Sequence, residues 1–512
     1  MNQSNATPGL CVRIHPDDNV AVIVNDDGLP PGAALVNGPV LKEHIPQGHK
    51  VALADIASGQ VVRRYGVTIG YALEDIQAGM WVSEQRMRMP EPPELDHLVY
   101  CPRSFPAFSP LEGRSFQGYR NDDGTFGTRN ILAIGACVQC AAGVLDVAVQ
   151  RARQELLPRY PNVDDIVAIN HIYGCGVAID APAAPIPIRT LRNILRNPNF
   201  GGMPLLCSLG CEKLTPEKLM PSNTPETVCL QDEQYHGFES MLDALLDAMR
   251  RRLELMDKRK REACPASGLR VGMQCGGSDA FSGITANPAL GAAADRIVRA
   301  GGTAFFSEVT EVRDGIDQLV ARAASTEVAQ GLIREMRWYD DYLAAGGVDR
   351  SANTTPGNKK GGLNNITEKA MGSLIKSGSA PIVGVVSPGE QLPQNAAGLY
   401  YVATPASDFV CGTLQLAAGM NLHIFSTGRG TPYGLREVPV IKVATRTELA
   451  RRWHDLMDFD AGGIATGASS IDQCGEDLFN MILDVASGKR QTCTDRWGLY
   501  NDLALFNPAP IT

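Results

Sequence analysis

The chain has 512 residues, 44% of them hydrophobic and 20% charged, a balance that excludes wholesale disorder. A single hydrophobic core stops growing near about 250–300 residues, so two or three domains are expected rather than a lone binding module. The formal net charge of −9, with no run of lysine and arginine, argues against nucleic acid or a membrane surface as partner, since both call for a concentrated cationic face. No stretch of about 18 apolar residues occurs, and MNQSNATPGL has neither a basic nor an apolar leader segment, so a cytoplasmic protein is expected. Thirteen cysteines, an odd number, speak for free thiols, some of them ligands or nucleophiles, rather than for a disulfide framework.

Short β-rich runs at 20–24, 50–54, 61–65 and 68–72, separated by Gly, Pro and Asp turns, predict a small all-β module over residues 1–90. Six prolines (Pro90, Pro92, Pro93, Pro102, Pro106, Pro110) resist both helix and sheet and predict an extended linker, placed at 91–115. Strands at 131–136, 166–170 and 203–207 then alternate with helices at 141–157 and 189–195, the grammar of a parallel α/β layer. A long helix at 239–262, whose charges read as a solvated face, closes this second domain at 116–264. The last region, 265–512, repeats the grammar with strands at 269–273, 303–306, 381–386, 400–403, 422–425 and 438–443, predicting a larger parallel sheet.

Ligands of open parallel sheets bind beyond the carboxyl ends of the strands. In the second domain those ends carry Cys137 and Cys140, His171 and Cys175, and Cys211 with Glu212. Thiolate, imidazole and carboxylate together can hold a transition metal, but each cysteine alone also reads as core packing. Cys137 and Cys140 also have the spacing of a redox pair, although nothing else in the chain looks thioredoxin-like. In the last region the strand ends carry Cys275, Ser278 and Asp279, then Glu308 and Glu311, then Asp408, then Thr427 and Arg429. Asp279, Glu308 and Asp408 are suited to a divalent metal and come from different strand ends of one sheet, while an Asp after a strand also serves as a turn or helix cap. The Gly276-Gly277 pair lacks the full dinucleotide spacing and gives little support to nucleotide binding. A Gly-rich turn from Gly118 to Asn130 carries Arg120 and Arg129, either as a carboxylate clamp or as solvated turn residues. His15, His44 and His49 lie near turns of the β module, as proton carriers, ligands or plain surface residues.

These strings resemble the altronate and galactarate dehydratase family, from Val12 to the closing stretch Trp497 to Pro510. The motifs are Gly48-His49-Lys50, Gly127-Thr128-Arg129-Asn130, His171 with Gly174-Cys175-Gly176, and Gly210-Cys211-Glu212. They continue with Gln274 through Asn287-Pro288, Pro356 through Gly362, and Thr427 through Pro432. Cys137 departs from the pattern, leaving Cys140 alone of that pair. The resemblance implies an N-terminal β-clip of the SAF type, a linker, and two α/β parts of which the last is Rossmann-like. It also implies a homodimer, a dependence on iron(II), and loss of water from a six-carbon sugar diacid, galactarate, to give 5-dehydro-4-deoxy-D-glucarate. The stretches 307–311 and 426–429 resemble the galactarate branch more than the altronate branch, with altronate or another sugar acid as the alternative.

The proton beside a carboxylate is weakly acidic, so a Lewis-acid metal, a general base and a general acid are all expected. The residues assigned are Asp279, Glu308 and Asp408 for the metal, and His49 and His171 for proton transfer, with Cys175 and Cys275 as alternates. Arg129 and Arg429 are assigned to the carboxylates, and Asn130, Ser278, Asn287 and Thr427 to the rest of the substrate. His49 acts as a lid residue if the β module folds over the sheet. Two further readings stay open at this point: an iron–sulfur cluster on Cys140, Cys175 and Cys211, and a non-enzymatic sugar-acid sensor.

Overall fold

A computed structural model describes residues 9–101, 105 and 108–509. Residues 1–8, read above for an export signal, and the linker's Pro102 and Pro106 lie outside the described residues. Among the described residues no helix is long and apolar enough to cross a membrane.

The N-terminal module contains two three-stranded antiparallel sheets. Cys11–Val12, Val20–Ile23 and Lys50–Ala52 form one; Val61–Arg64, Val67–Ala72 and Met87–Arg88 form the other. Every residue of Val20–Ile23 is buried, because both of its faces are covered. Ala21 and Ile23 pack on Leu29, Leu41 and Ile45 of the module, whereas Val22 packs on Ala280, Phe281 and Ile284 far along the chain. Strands Val61–Arg64 and Val67–Ala72 are joined through Tyr65 (φ +60°) and Gly66 (φ +73°), a two-residue turn with both residues left-handed that matches the twist of a hairpin.

The second part is a four-stranded parallel sheet in the order Asp165–Ile169, Ile131–Ala136, Leu205–Ser208, Thr227–Cys229. Helices Gln139–Glu155 and Phe238–Met256 cover one face through Leu145, Val149, Leu242 and Met249. On the other face Ile131, Ala133 and Leu191 share a core with Phe305, Leu416 and Phe425, so the two α/β parts are packed directly on each other. The last helix is shorter than the expected 239–262. After Met256 the chain turns and Glu262–Pro265 pairs antiparallel with Ser115–Arg120. Arg259 and Arg261 direct this turn, the first donating to Asn121 and Asn130 and the second to the carbonyls of Thr128 and Ala486. With Phe126–Gly127 as third strand, this clasp forms where the chain enters and leaves the second part.

The last part is a seven-stranded sheet, parallel throughout. Its order is Ile382–Val386, Gly398–Val402, Thr303–Phe306, Arg270–Cys275, Leu422–Thr427, Val440–Ala444, Phe459–Asp460. Arg270–Cys275 is first in sequence yet central in space, and all six residues are buried. Val271 and Met273 face helices Ala286–Arg299 and Ile471–Ala486 in one large core. From the central strand the chain builds one half of the sheet and then returns to build the other. The switch in direction therefore falls between Arg270–Cys275 and Leu422–Thr427, where open α/β sheets hold their ligands.

Candidate active site

The central strand ends at Cys275, whose side chain is buried. The neighbouring strand Thr303–Phe306 runs on to Glu308, which takes φ +77°, a strained conformation for a residue with a side chain. That bend starts the short turn Val309–Glu311 and brings Glu311 back beside Glu308. The third contribution comes from helix Ile366–Leu374, in which every residue is buried, and the turn Ile375–Ser377 that follows it. Lys369, Ser373 and Lys376 recur at spacings of four and three and so share one helical face.

These side chains meet closely. The Lys376 ammonium donates to Glu308 Oε2 at 2.5 Å, Ser373 Oγ at 2.8 Å and Cys275 Sγ at 3.2 Å. Cys275 Sγ donates to Glu311 Oε2 at 3.2 Å, and Lys369 pairs with Glu311 Oε1 at 2.8 Å. Burial, reinforced by the charge of Glu311, pushes the Glu308 carboxyl up to about 8, the Cys275 thiol up to about 12 and Asp408 up to about 6. Burial opposes the charge on Lys376, but Cys275, Glu308 and Glu311 outweigh it and hold the ammonium above its ordinary range. Two ammonium groups thus face three acids, an arrangement that keeps a proton in the site.

Cys275, Glu308 and Glu311 bring one sulfur and two carboxylate oxygens within 4.8 Å of one another. Glu308 Oε1 is buried with no hydrogen-bond partner, so a lone pair is free to face an ion. A thiolate with two carboxylates suits a borderline divalent metal, and the residues present fit one. This set shares Glu308 with the expected metal ligands but not the other two. Asp408 accepts from Gln274 Nε2 at 3.2 Å, and its electrostatic partners include Glu311, Lys369 and Lys376. Asp279 accepts from Ser282 and from Thr445 Oγ1 and lies 3.3 Å from Arg446 Nε; burial raises its pKa against the pull of Arg446. Its carboxylate sits so close to Gly428 that a Cβ there would lie 2.1–2.4 Å away.

Tyr65, Cys275, Ser278, Asp279, Lys369 and Ser373 line a small cavity of about 10 Å³, room for no more than a water. Tyr65 reaches it from the N-terminal hairpin. Its hydroxyl fits only because positions 283 and 372 are glycine: a Cβ at Gly283 would come 2.3 Å from it. Ser278 Oγ and Tyr65 Oη are both buried and unpartnered. The module is strapped down by Glu368, which binds Lys50 Nζ at 2.8 Å and Arg64 Nη1 at 2.5 Å, all three side chains being buried. Burial outweighs Glu368 at Lys50 and lowers its ammonium to about 8, while Lys50 and Arg64 overcome burial at Glu368 and hold its carboxyl below the usual range.

Of the remaining expected residues, Asn287 lines the same cavity, donating to Gly372 O and accepting from Ser426 Oγ. Thr427 Oγ1 accepts from Gly430 N, and the guanidinium of Arg429 has no ion-pair partner among the described residues. His49 lies next to this region but outside the cavity. It stacks edge-on against Trp81, reaches Lys360 O at 3.4 Å, and is lowered to about 4 by burial and then by Lys50. Four assigned residues belong to the second part instead. His171 bonds Ala136 O at 2.7 Å and accepts from Tyr173 N, and burial lowers its pKa. Cys175 is exposed on the following loop. Arg129 pairs with Asp495, and Asn130 anchors the carbonyls of Asn162 and Met256. Glu311, Lys369, Ser373, Lys376 and Tyr65 were not assigned from the sequence. The signal available was the repeat of polar residues at 369, 373 and 376, spaced to share one side of the segment 366–377.

Three family models cover the chain. They are "Altronate/galactarate dehydratase SAF domain" over 10–90, "D-galactarate dehydratase/Altronate hydrolase, second domain" over 118–257, and "D-galactarate/Altronate dehydratase, C-terminal" over 266–511. The chain belongs to the altronate/galactarate dehydratase family. Within this dehydratase family it is 56% identical over 510 residues to galactarate dehydratase (L-threo-forming) of Escherichia coli (strain K12), covering 98% of this chain and 97% of that one. It is 34% identical to the altronate dehydratase of the same organism, covering 97% and 98%, and 32% identical to that of Bacillus subtilis (strain 168), covering 97% and 98%. The N-terminal module is thus the family's SAF domain, and the multidomain α/β architecture matches the expectation drawn from the sequence.

Proposed function

We propose that this chain is a hydro-lyase that removes water from galactarate to give 5-dehydro-4-deoxy-D-glucarate at the carboxyl end of strand Arg270–Cys275. The observation that carries the substrate is the 56% identity, nearly end to end, with a galactarate dehydratase, against 34% and 32% with altronate dehydratases. The divalent ion is iron(II), held by Cys275, Glu308 and Glu311. When bound, it supplies Lewis-acid stabilisation of the charge that builds on the substrate carboxylate. The unpaired guanidinium of Arg429 takes a substrate carboxylate, and Ser278 Oγ and Asn287 take hydroxyls. Asp279, held in place by Ser282, Thr445 and Arg446, accepts the α-proton. Lys376 holds a proton between Glu308 and Cys275 and donates it toward the departing hydroxyl. A six-carbon diacid does not fit a cavity of about 10 Å³, so Tyr65 withdraws to admit it. The protein works as a cytoplasmic homodimer, divided into 1–90, a linker at 91–115, 116–264 and 265–512.

The test is conversion of galactarate to ketone by protein loaded anaerobically with Fe²⁺ and a thiol reductant, followed by mass spectrometry beside a chelated control. Product is expected only with the metal, and Lys376→Met is expected to lower kcat by about 10²–10⁴-fold. No product from folded, iron-loaded protein would overturn the substrate assignment, and conversion of altronate instead would move it to that branch.

A further inference from the structure

The smaller sheet carries a second set of chemically active side chains that the dehydration does not use. Each of its four parallel strands leads at its carboxyl end to a cysteine. Across the sheet from Asp165–Ile169 to Thr227–Cys229 these are Cys175, Cys140, Cys211 and Cys229. Core thiols in this part, Cys137 and Cys207, are buried, but Cys140, Cys175 and Cys211 are exposed, which packing does not explain.

Backbone contacts draw their three loops together. The carbonyl of Gly174 accepts from both Lys213 N and Leu214 N at 3.1 Å, joining the Cys175 loop to the Cys211 loop. Gly174 (φ +115°) also presses on the turn before Cys140, where a Cβ would come 2.3 Å from Cys137 O, so only glycine allows the approach. Cys140 lies in the first turn of helix Gln139–Glu155, at the edge where these loops meet. An independent sign of a missing partner lies at the same loops. Glu212 is only 7% exposed; its Oε2 accepts from Gly210 N at 2.7 Å, while its buried Oε1 has no partner.

Among the described residues only Cys275, Glu308 and Glu311 bring three donors within 4.8 Å, so the three exposed thiols are spread more widely than a single ion allows. Several metal ions bridged by sulfide take ligands set wider apart than a single ion does, and soft thiolates select iron–sulfur clusters. We infer that Cys140, Cys175 and Cys211 hold an iron–sulfur cluster at the carboxyl edge of the smaller sheet, a second iron site separate from the one at Cys275. This inference stands apart from the dehydration reading, since it concerns other residues and is read out by sulfide rather than by turnover.

The test uses full-length protein purified without oxygen and supplied with Fe²⁺, Fe³⁺ and sulfide, the ferric iron providing the oxidation level of the cluster. Acid-labile sulfide and visible absorbance are expected in the parent and in Cys275→Ser, and are expected to be lost in each of Cys140→Ser, Cys175→Ser and Cys211→Ser. As a measurement free of mutation, alkylation mapped by mass spectrometry should find these three thiols protected until the iron is stripped by chelator. Iron without labile sulfide, zinc in its place, sulfide retained in all three serine variants, or three thiols equally reactive before and after chelation would each overturn the cluster.

Discussion

Replacing Glu368 with glutamine removes the one carboxylate that faces both Lys50 and Arg64 in a buried site. Breaking a buried ion pair from one side leaves uncompensated charge and costs about 3–5 kcal/mol. That cost falls on the contact between the N-terminal module and helix Ile366–Leu374 rather than on the large sheet. At about 1.4 kcal/mol per factor of ten, opening of the module is expected to increase roughly 150- to 4,000-fold. Hydrogen exchange with mass spectrometry reads this directly: Lys50–Ala52 and Val61–Arg64 lose protection while Arg270–Cys275 keeps it. The sign with pH follows from the Glu368 carboxyl, which is held below its ordinary 4.5. Its contribution is complete above that value and is lost as pH falls through the lower folded value, so the parent loosens in acid and Glu368→Gln does not share this component. Replacing all three residues by apolar ones of similar volume is expected to recover most of the loss. A folded Glu368→Gln protein whose module exchanges within tenfold of the parent would refute the strap.

His49 provides a separate check on the same contact. Its imidazole is expected to titrate near 4, below the ordinary 6.5, so an unfolded module binds the proton first and the folded module loses stability as pH falls from about 6.5 toward 4. An NMR midpoint near the ordinary value would show that His49 is not packed against Trp81. Gly428→Ala sets a Cβ 2.1–2.4 Å from the Asp279 carboxylate and must displace it. Misplacing a reacting group by about 1 Å costs about 100-fold in turnover, so at least that loss is expected with the fold retained. Unchanged turnover in Gly428→Ala would remove Asp279 from the reaction.

The sheets were legible because strands buried on both faces are continuous apolar runs, as in Ile131–Ala136 and Thr303–Phe306, and their ends were placed within a residue or two. The clasp between Ser115–Arg120 and Glu262–Pro265 was not, since its partners are far apart in the chain and each is short and partly exposed. Nothing in 239–262 stops a helix locally; the stop comes from Asn121 and Asn130, which pull Arg259 away. At the site, attention to residues just after strands found Cys275, Glu308 and Asp408. It passed over Lys369, Ser373 and Lys376, which come from a buried helix and the turn after it, where Thr367 and Glu368 are polar too and the pattern does not single out the side that matters. Tyr65 was hidden for another reason: its role depends on how one module docks on another, which no local pattern records.

Glu368 and Lys50 are separated by 318 positions in the chain. At about 5–20 residues per second on the ribosome, the carboxylate is made about 15–60 s after the lysine it will meet. During that interval Lys50 and Arg64 sit in water on a module already long enough to fold. The arrival of helix Ile366–Leu374 completes their burial, which Ala280 and Gly362 begin, and the same helix carries Lys369 and Ser373 into the cavity. Docking of the first-made module and completion of the catalytic cluster are therefore one late event in the life of each new chain, and a nascent protein stalled before that helix has neither.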